Sequence, residues 1–262
     1  WKDNLTLFTT DAKTSRNSSR INAAAAEILV TEAEKTVNPL KKQKLLDDAL
    51  YYINRTKYID SDYYAICDIS GRIYFASKNY EMALDSYLDC IKKNENPITY
   101  NNIFAVGVNA YNDTAVHVAH RAFKFLTEKF PENIDYLYHL SLTYRYMEKF
   151  DSAIIILNKI IALDTCHSDA YNQLGEIFSR YYGNFNKGEK YFKKAVECDS
   201  TNYSALENLG VLYGIVHRPA DALYYFKKAY EIDPYNKNLL RNIGLAYQNL
   251  GMQDSANHFL NR

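Results

Sequence analysis

Two histidines, His117 and His120, are the residues whose type and spacing best suit metal chemistry. Three positions apart on a helix, they would present both imidazoles on one face, as a divalent cation requires. A metal site also needs a third protein ligand, and none follows at a compatible spacing. A solvated pair is therefore the simpler interpretation, and the sequence predicts no metal site.

The motifs of common enzyme classes are missing from the sequence. It has no G-x-x-x-x-G-K-[ST] phosphate loop, no G-x-G-x-x-G fingerprint, no G-x-S-x-G nucleophile elbow and no H-E-x-x-H helix. The Asp and Glu residues are spread along the chain, and no pair of carboxyl groups marks a pocket. We therefore predict that this chain is not an enzyme and uses no cofactor.

Aromatic and amide side chains are the remaining groups suited to contact a ligand. The 262 residues include 25 tyrosines, whose rings are apolar along the body and polar at the tip. Lys plus Arg and Asp plus Glu are balanced at 31 each, which argues against nucleic acid as a partner. No run of apolar residues is long enough for a membrane span, so membrane insertion is not predicted. The composition favours a folded chain with a protein or peptide partner.

An internal repeat of 34 to 36 residues positions these side chains. Its clearest copy carries Leu206, Leu209, Gly210, Tyr213, Ala222, Phe226, Ala229 and Pro234. Six registers of this pattern align, with one inserted residue in the copy that begins at Ser168, and a seventh begins near residue 18. The predicted repeats start near 18, 64, 100, 134, 168, 203 and 237, after a lead-in segment at 1–17.

The pattern is similar to the tetratricopeptide repeat. This resemblance implies an all-α fold, a right-handed superhelical solenoid of about seven helical hairpins, the last one incomplete. In that family, small residues lie where the two helices of a hairpin approach, and each hairpin buries its remaining apolar face on its neighbours. The first repeat departs from the family's length, because a longer connection is expected around Asn38 and Pro39.

The same resemblance implies a ligand site on the first helix of each repeat, where positions 2, 5, 6, 9, 12 and 13 face an inner groove. Amides at position 6 resemble the ladder by which the O-GlcNAc transferase array grips extended peptides. An amide both donates and accepts, so it can pair with a peptide unit of any sequence. The same amides also occur in repeats without a peptide role, which leaves the ladder a hypothesis. The predicted ligand-binding residues are Tyr111, Tyr138, Arg145, Tyr146, Asn172, Gln173, Arg180, Asn208, Arg241 and Asn242.

The first twenty residues carry a second resemblance. Trp1, Leu7 and Phe8, followed by a Ser-rich cap, are similar to the junction in membrane-bound glycosyltransferases of the O-mannosyltransferase type. In those proteins a multi-spanning catalytic portion precedes a tetratricopeptide domain on the non-cytoplasmic side. This resemblance implies a periplasmic or extracytoplasmic location. The alternative is that Trp1 and Phe8 only pack on the first repeat, which leaves a cytoplasmic location open.

Two functions are consistent with these observations. The first is a non-catalytic scaffold that binds an extended peptide or a partner protein in the groove, as part of a membrane glycosyltransferase-like protein. The alternative is a stand-alone adaptor that assembles complexes. We expect the shortened final helix to leave an apolar C-terminal face, which suits a homodimer formed end to end.

The four cysteines show no metal or disulfide spacing pattern. Cys67 and Cys90 take core positions 4 and 27 of one repeat, and Cys166 and Cys198 lie near the ends of second helices. Small apolar residues are expected at such positions. We therefore predict buried free thiols rather than disulfides.

Overall fold

The computed structural model describes residues 4–261, and within them the chain forms helices and short connections without a strand. This confirms the predicted all-α repeat fold. The chain divides into two compact units, residues 1–131 and 132–262. Trp1, on which the proposed membrane junction rests, lies outside the described residues.

The first unit consists of a leading helix and three helical hairpins. The leading helix α1 packs on α2 and buries Ala12, although the sequence analysis assigned no helix to the segment 1–17. The helices of this unit are α1 (Asn4–Thr14), α2 (Ser19–Lys35), α3 (Pro39–Ile59), α4 (Ile66–Ala76), α5 (Tyr80–Lys93), α6 (Pro97–Asn112) and α7 (Val116–Lys129).

The second unit contains four hairpins, of which the last has a short second helix. Its helices are α8 (Ile134–Tyr146), α9 (Phe150–Leu163), α10 (Ser168–Glu176), α11 (Phe185–Cys198), α12 (Tyr203–Ile215), α13 (Pro219–Ile232), α14 (Lys237–Asn249) and α15 (Gln253–Leu260). α15 has 8 residues, whereas α13 has 14.

The connection in the first hairpin is short, which corrects the expectation of a long connection near Asn38. Only residues 36–38 separate α2 from α3. The extra length of this repeat lies in the helices, which have 17 and 21 residues. Asn38 and Pro39 begin α3, where the Asn side chain accepts the backbone N–H of Lys41 and Pro takes the first helical position.

In four hairpins a glycine of the first helix meets a ring of the second. A Cβ atom added to Gly175 would lie 2.5 Å from Cδ1 of Phe192, and one added to Gly71 would lie 2.5 Å from Cε1 of Tyr87. Both rings are almost completely buried. Since interiors are packed without spare volume, a side chain at these positions would force the two helices apart.

The inserted residue of the repeat that begins at Ser168 forms a π-helical turn. α10 runs directly into this turn, Ile177–Tyr181, and the N–H of Tyr182 donates to the carbonyl of Ile177 at 3.2 Å. The wider turn absorbs the extra residue within the helix. Such turns occur often at functional sites, because they redirect the side chains around them.

All four cysteines form disulfides, so the prediction of free thiols is wrong. Cys67 pairs with Cys90 across the hairpin α4–α5, with a Cα–Cα distance of 5.4 Å. Cys166 pairs with Cys198 and links the ends of α9 and α11, with a Cα–Cα distance of 5.1 Å. Cys90 is buried as predicted, whereas Cys67 is only half-buried, and positions 4 and 27 face each other across the hairpin closely enough for a disulfide.

Candidate functional site

Four of the predicted ligand-binding residues lie in one hydrogen-bonded network on the first helices of the second unit. We call this network the polar strip. It draws on α8, α10, the π-helical turn and α12, and therefore spans three repeats. Its members are Arg145, Asn172, Glu176, Arg180 and Asn208.

Glu176 connects the helices on either side of α10, although it was not among the predicted ligand-binding residues. One carboxylate oxygen accepts from Nη1 of Arg145 on α8 at 2.8 Å. The other accepts from Nδ2 of Asn208 on α12 at 3.0 Å. The Glu176 and Arg145 side chains are only 13% and 26% exposed, so solvent screens this ion pair less than one at the surface.

The amide of Asn208 is already fully engaged within the protein. Its Nδ2 donates to Asn172 Oδ1 as well as to Glu176, and its Oδ1 accepts from Nη2 of Arg180, each at 3.0 Å. The residue is 8% exposed. Asn208 therefore organises its neighbours, and a peptide could use this amide only by displacing one of these bonds.

Two polar atoms beside the strip are buried without a hydrogen-bond partner within residues 4–261, namely Nε of Arg145 and Oε1 of Gln173. Tyr138 lies next to Gln173, and burial, reinforced by the charge of Asp169, raises the pKa of Tyr138 to about 12. Its hydroxyl therefore stays protonated at physiological pH. A peptide unit has one carbonyl acceptor and one N–H donor, which complement the Arg145 donor and the Gln173 acceptor. Both atoms are buried, so a ligand reaches them only if neighbouring side chains rotate.

The other predicted residues are more accessible. Tyr146 on α8 is 57% exposed, and on α14 Arg241 is exposed and Asn242 half-buried. All three belong to the second unit, whereas Tyr111 lies on α6 in the first. The prediction that these ten residues contact a ligand stays a prediction.

A cavity of about 260 Å³ adjoins the polar strip between the π-helical turn and α12. Its walls are largely apolar, while Arg180 and Asn208 provide polar groups. The lining residues are Ser179, Arg180, Phe185, Phe192, Asn208, Val211, Leu212 and Ile215. Val211 and Ile215 were not among the predicted ligand-binding residues, although they take groove positions 9 and 13 of their repeat.

Many of the tyrosines have structural roles. In the second unit, Tyr191 stacks on Phe178 with ring centroids 5.5 Å apart, and Tyr181 stacks on Phe150 at 4.0 Å. The ammonium of Lys187 lies 3.7 Å from the centroid of the Phe178 ring, within cation–π range. Many tyrosines therefore pack on half-exposed helix surfaces, so their number does not by itself mark a binding face.

A larger open depression of about 970 Å³ lies on the second helices of the first unit, between α5 and α7. Its charged walls are paired with each other, since Arg121 bonds Asp85 at 2.8 Å and Lys129 bonds Glu95 at 2.7 Å. These two pairs engage four of the charged side chains that line the depression.

The described part of the chain contains no cluster of three or more His, Cys, Asp or Glu residues suited to a metal ion. His117 instead faces Glu81, with 3.3 Å between Nε2 and Oε2. Across residues 4–261, every helix is too short or too polar to cross a membrane.

Two segments match sequence models described as the tetratricopeptide repeat, residues 134–165 and residues 191–224. The first segment corresponds to the hairpin α8–α9, and the second contains all of α12 with parts of α11 and α13. These two segments therefore match the tetratricopeptide repeat, as the spacing of their small and aromatic residues predicts. No curated protein sequence matches the chain.

Solved structures of tetratricopeptide repeat proteins share the fold. The C-terminal part of such a protein from Cytophaga hutchinsonii is 15% identical with a TM-score of 0.64, over 91% of this chain and 93% of that one. A protein from Parabacteroides merdae is 16% identical with a TM-score of 0.59, over 76% and 77%. The MamA protein is 24% identical with a TM-score of 0.52, over 62% and 88%. At these identities the likeness shows the fold alone, and none of it supports an origin in a glycosyltransferase.

Proposed function

We propose that this chain is a non-catalytic scaffold that binds an extended peptide, or an extended segment of a partner protein, along the first helices of its second unit. Repeat arrays of this kind generally mediate protein–protein interaction through such surfaces. The observation that carries the proposal is the polar strip, which joins three repeats through hydrogen bonds of 2.8 to 3.0 Å. Side chains that are already ordered lose little conformational entropy on binding.

The geometry supports a peptide ligand because exposed side chains on the same series of first helices accompany the fixed polar groups of the strip. Arg180, Arg241 and Tyr146 offer donors and an aromatic surface to a passing chain. The strip contains two Arg and one Glu, so its charges do not strongly favour either sign of ligand. Recognition would therefore depend on backbone hydrogen bonds and apolar side chains.

A permanently unfolded polypeptide, reduced and carboxymethylated α-lactalbumin, tests this proposal by biolayer interferometry. We expect saturable binding that Tyr146→Ala and Asn242→Ala each weaken about 3- to 10-fold, because each removes a contact of the order of 1 kcal/mol. Tyr58→Ala is the matched control, since Tyr58 is 92% exposed and lies on α3 in the first unit. Absence of saturable binding, or an equal loss in the control, would contradict the proposal.

The two disulfides support a proposed periplasmic or other extracytoplasmic location. Disulfides persist in oxidising compartments and are rare in the cytosol, where thiols are kept reduced. Each unit of the chain carries one, and neither is needed to close a metal or redox site in the described residues. The cytoplasmic alternative would require both bonds to survive a reducing environment.

Membership in a membrane-bound glycosyltransferase remains a proposal that rests on the resemblance of the first twenty residues alone. In that setting the scaffold would bring acceptor or partner proteins to the catalytic portion. Spanning helices encoded before Trp1 would support it, and their absence would remove it.

The second candidate function, an adaptor that self-associates, is favoured by apolar exposure on the last hairpin. Leu250, Met252 and Leu260 are 37%, 49% and 41% exposed. If this face forms a homodimer, multi-angle light scattering will show a mass that rises with concentration, and Met252→Lys with Leu260→Lys will hold it at the monomer value. Met82→Lys, at a 43% exposed site on α5, is the control. A mass that is constant over the concentration series would exclude the adaptor.

A further inference from the structure

The π-helical turn that absorbs the inserted residue forms one wall of the cavity beside the polar strip. The π-helical turn carries Ser179 and Arg180 to the cavity wall, and Phe185 begins the helix that follows. Phe192 and Leu212 close the interior side and are 1% and 3% exposed. The opening is bordered by Ile215, which is 54% exposed.

The size of the cavity restricts what can occupy it. Pockets for drug-sized ligands have volumes of about 300 to 1,000 Å³, whereas this one has about 260 Å³. The walls expose more apolar than polar surface, so a charged group would lose its hydration without enough partners. A single apolar side chain is small enough for this volume and needs no polar partners in the walls.

The rim of the cavity offers donors at the position where a peptide backbone would pass. Arg180 is exposed and uses one N–H to bond Asn208, and among residues 4–261 it forms no ion pair. A guanidinium has five N–H donors, so several remain for a carbonyl oxygen. Burial raises the pKa of the nearby Glu207 carboxyl group, and the positive charge of Arg180 partly counteracts this rise. The carboxyl group of Glu207 lies near Arg180, so the rim does not present an isolated positive charge.

We infer that this cavity is the specificity pocket of the scaffold and receives one apolar side chain, of about the size of Leu to Phe, from the bound extended peptide. The backbone carbonyl beside that anchor accepts from Arg180. This inference rests on the proposed function, because it assigns the anchor of the same peptide.

Selection from a random heptapeptide display library on the immobilised full-length chain tests the pocket. We expect the selected peptides to share one Leu, Ile, Met or Phe position. A synthetic peptide of that consensus, labelled with fluorescein, should lose about 10- to 100-fold in affinity when the anchor is changed to Ala, as expected for a fully buried aliphatic side chain.

Val211→Phe fills the pocket from a half-buried position and should weaken the same peptide about 10-fold or more. Leu245→Phe is the matched control, because Leu245 takes position 9 of the next repeat and is 41% exposed. Phe185→Ala enlarges the pocket and should shift the selected anchor towards Trp, a change that a purely structural role would not produce. Thermal melting of each variant establishes that it is folded.

The outcomes separate this inference from the proposed function. If peptides bind but Val211→Phe has no more effect than Leu245→Phe, and the anchor preference is unchanged in Phe185→Ala, the pocket assignment is overturned and the scaffold stands. If an acidic or basic consensus emerges without an apolar position, the anchor assignment is overturned. If neither the library nor unfolded α-lactalbumin yields saturable binding, both proposals are overturned.

Discussion

Removal of the Cys67–Cys90 disulfide is expected to lower the free energy of unfolding of the first unit by about 3 to 4 kcal/mol. The bond closes a loop with a sequence separation of 23 residues, and the Cys166–Cys198 bond closes one of 32 in the second unit. Chain-entropy arguments give a cost of this size for each loop. The melting temperature of the affected unit should fall by on the order of 10 °C.

Each bond provides the control for the other, because they lie in different units. In Cys67→Ala with Cys90→Ala, hydrogen exchange should accelerate in α4 and α5 and leave α9 and α11 nearly unchanged. Cys166→Ala with Cys198→Ala should give the reverse pattern. Addition of four N-ethylmaleimide groups per chain, counted by mass spectrometry in protein that was unfolded and alkylated during lysis from its native compartment, would contradict both the bonds and the extracytoplasmic location.

Replacement of Glu176 by Ala is the second change with a large expected effect, a loss of about 2 to 4 kcal/mol in the free energy of unfolding. It removes the partner of a half-buried Arg145 and one acceptor of Asn208. Breaking a buried ion pair from one side costs more than the pair contributes, because the remaining charge is left desolvated. Glu176→Gln should cost less, since an amide oxygen can still accept one of the two bonds.

Glu207→Ala is the matched control for Glu176→Ala, because Glu207 lies on the next first helix. Burial raises the pKa of Glu207, so the folded state disfavours its charged form and its removal should cost little or slightly stabilise. Urea unfolding followed by circular dichroism gives the two free energies. Equal losses of unfolding free energy in the two variants would show that the hydrogen bonds of Glu176 stabilise the second unit no more than Glu207 does.

The polar strip changes the interpretation of the predicted amide ladder. The sequence treats Asn208 and Asn242 as equivalent, because both take position 6 of their repeat. In the structure Asn208 bonds three neighbours, whereas Asn242 is half-buried on α14. Asn242→Ala is therefore the clearer test of ligand contact, since Asn208→Ala would also leave buried partners unsatisfied.

Periodicity in the sequence is enough to predict the paired helices and the close contact within most hairpins. Five of the six aligned copies carry Gly at position 8 of the repeat, and four of these Gly residues face a ring at position 24, so the spacing alone predicts contacts such as Gly71 with Tyr87. These contacts are local, between residues 16 or 17 positions apart within one hairpin, so periodicity is sufficient to reveal them. The inserted residue in the repeat at Ser168 was also visible as a longer period.

The tertiary structure alone decided which side chains of different repeats meet. Whether Glu176 bonds Arg145 and Asn208, whether Cys166 reaches Cys198, and whether Val211 borders a cavity all depend on how one hairpin stacks on the next. A shift of a few ångströms between hairpins would leave the repeat pattern unchanged but break every one of these contacts. Hydrogen bonds and disulfides operate within narrow distance limits, whereas the apolar repeat pattern tolerates many packings.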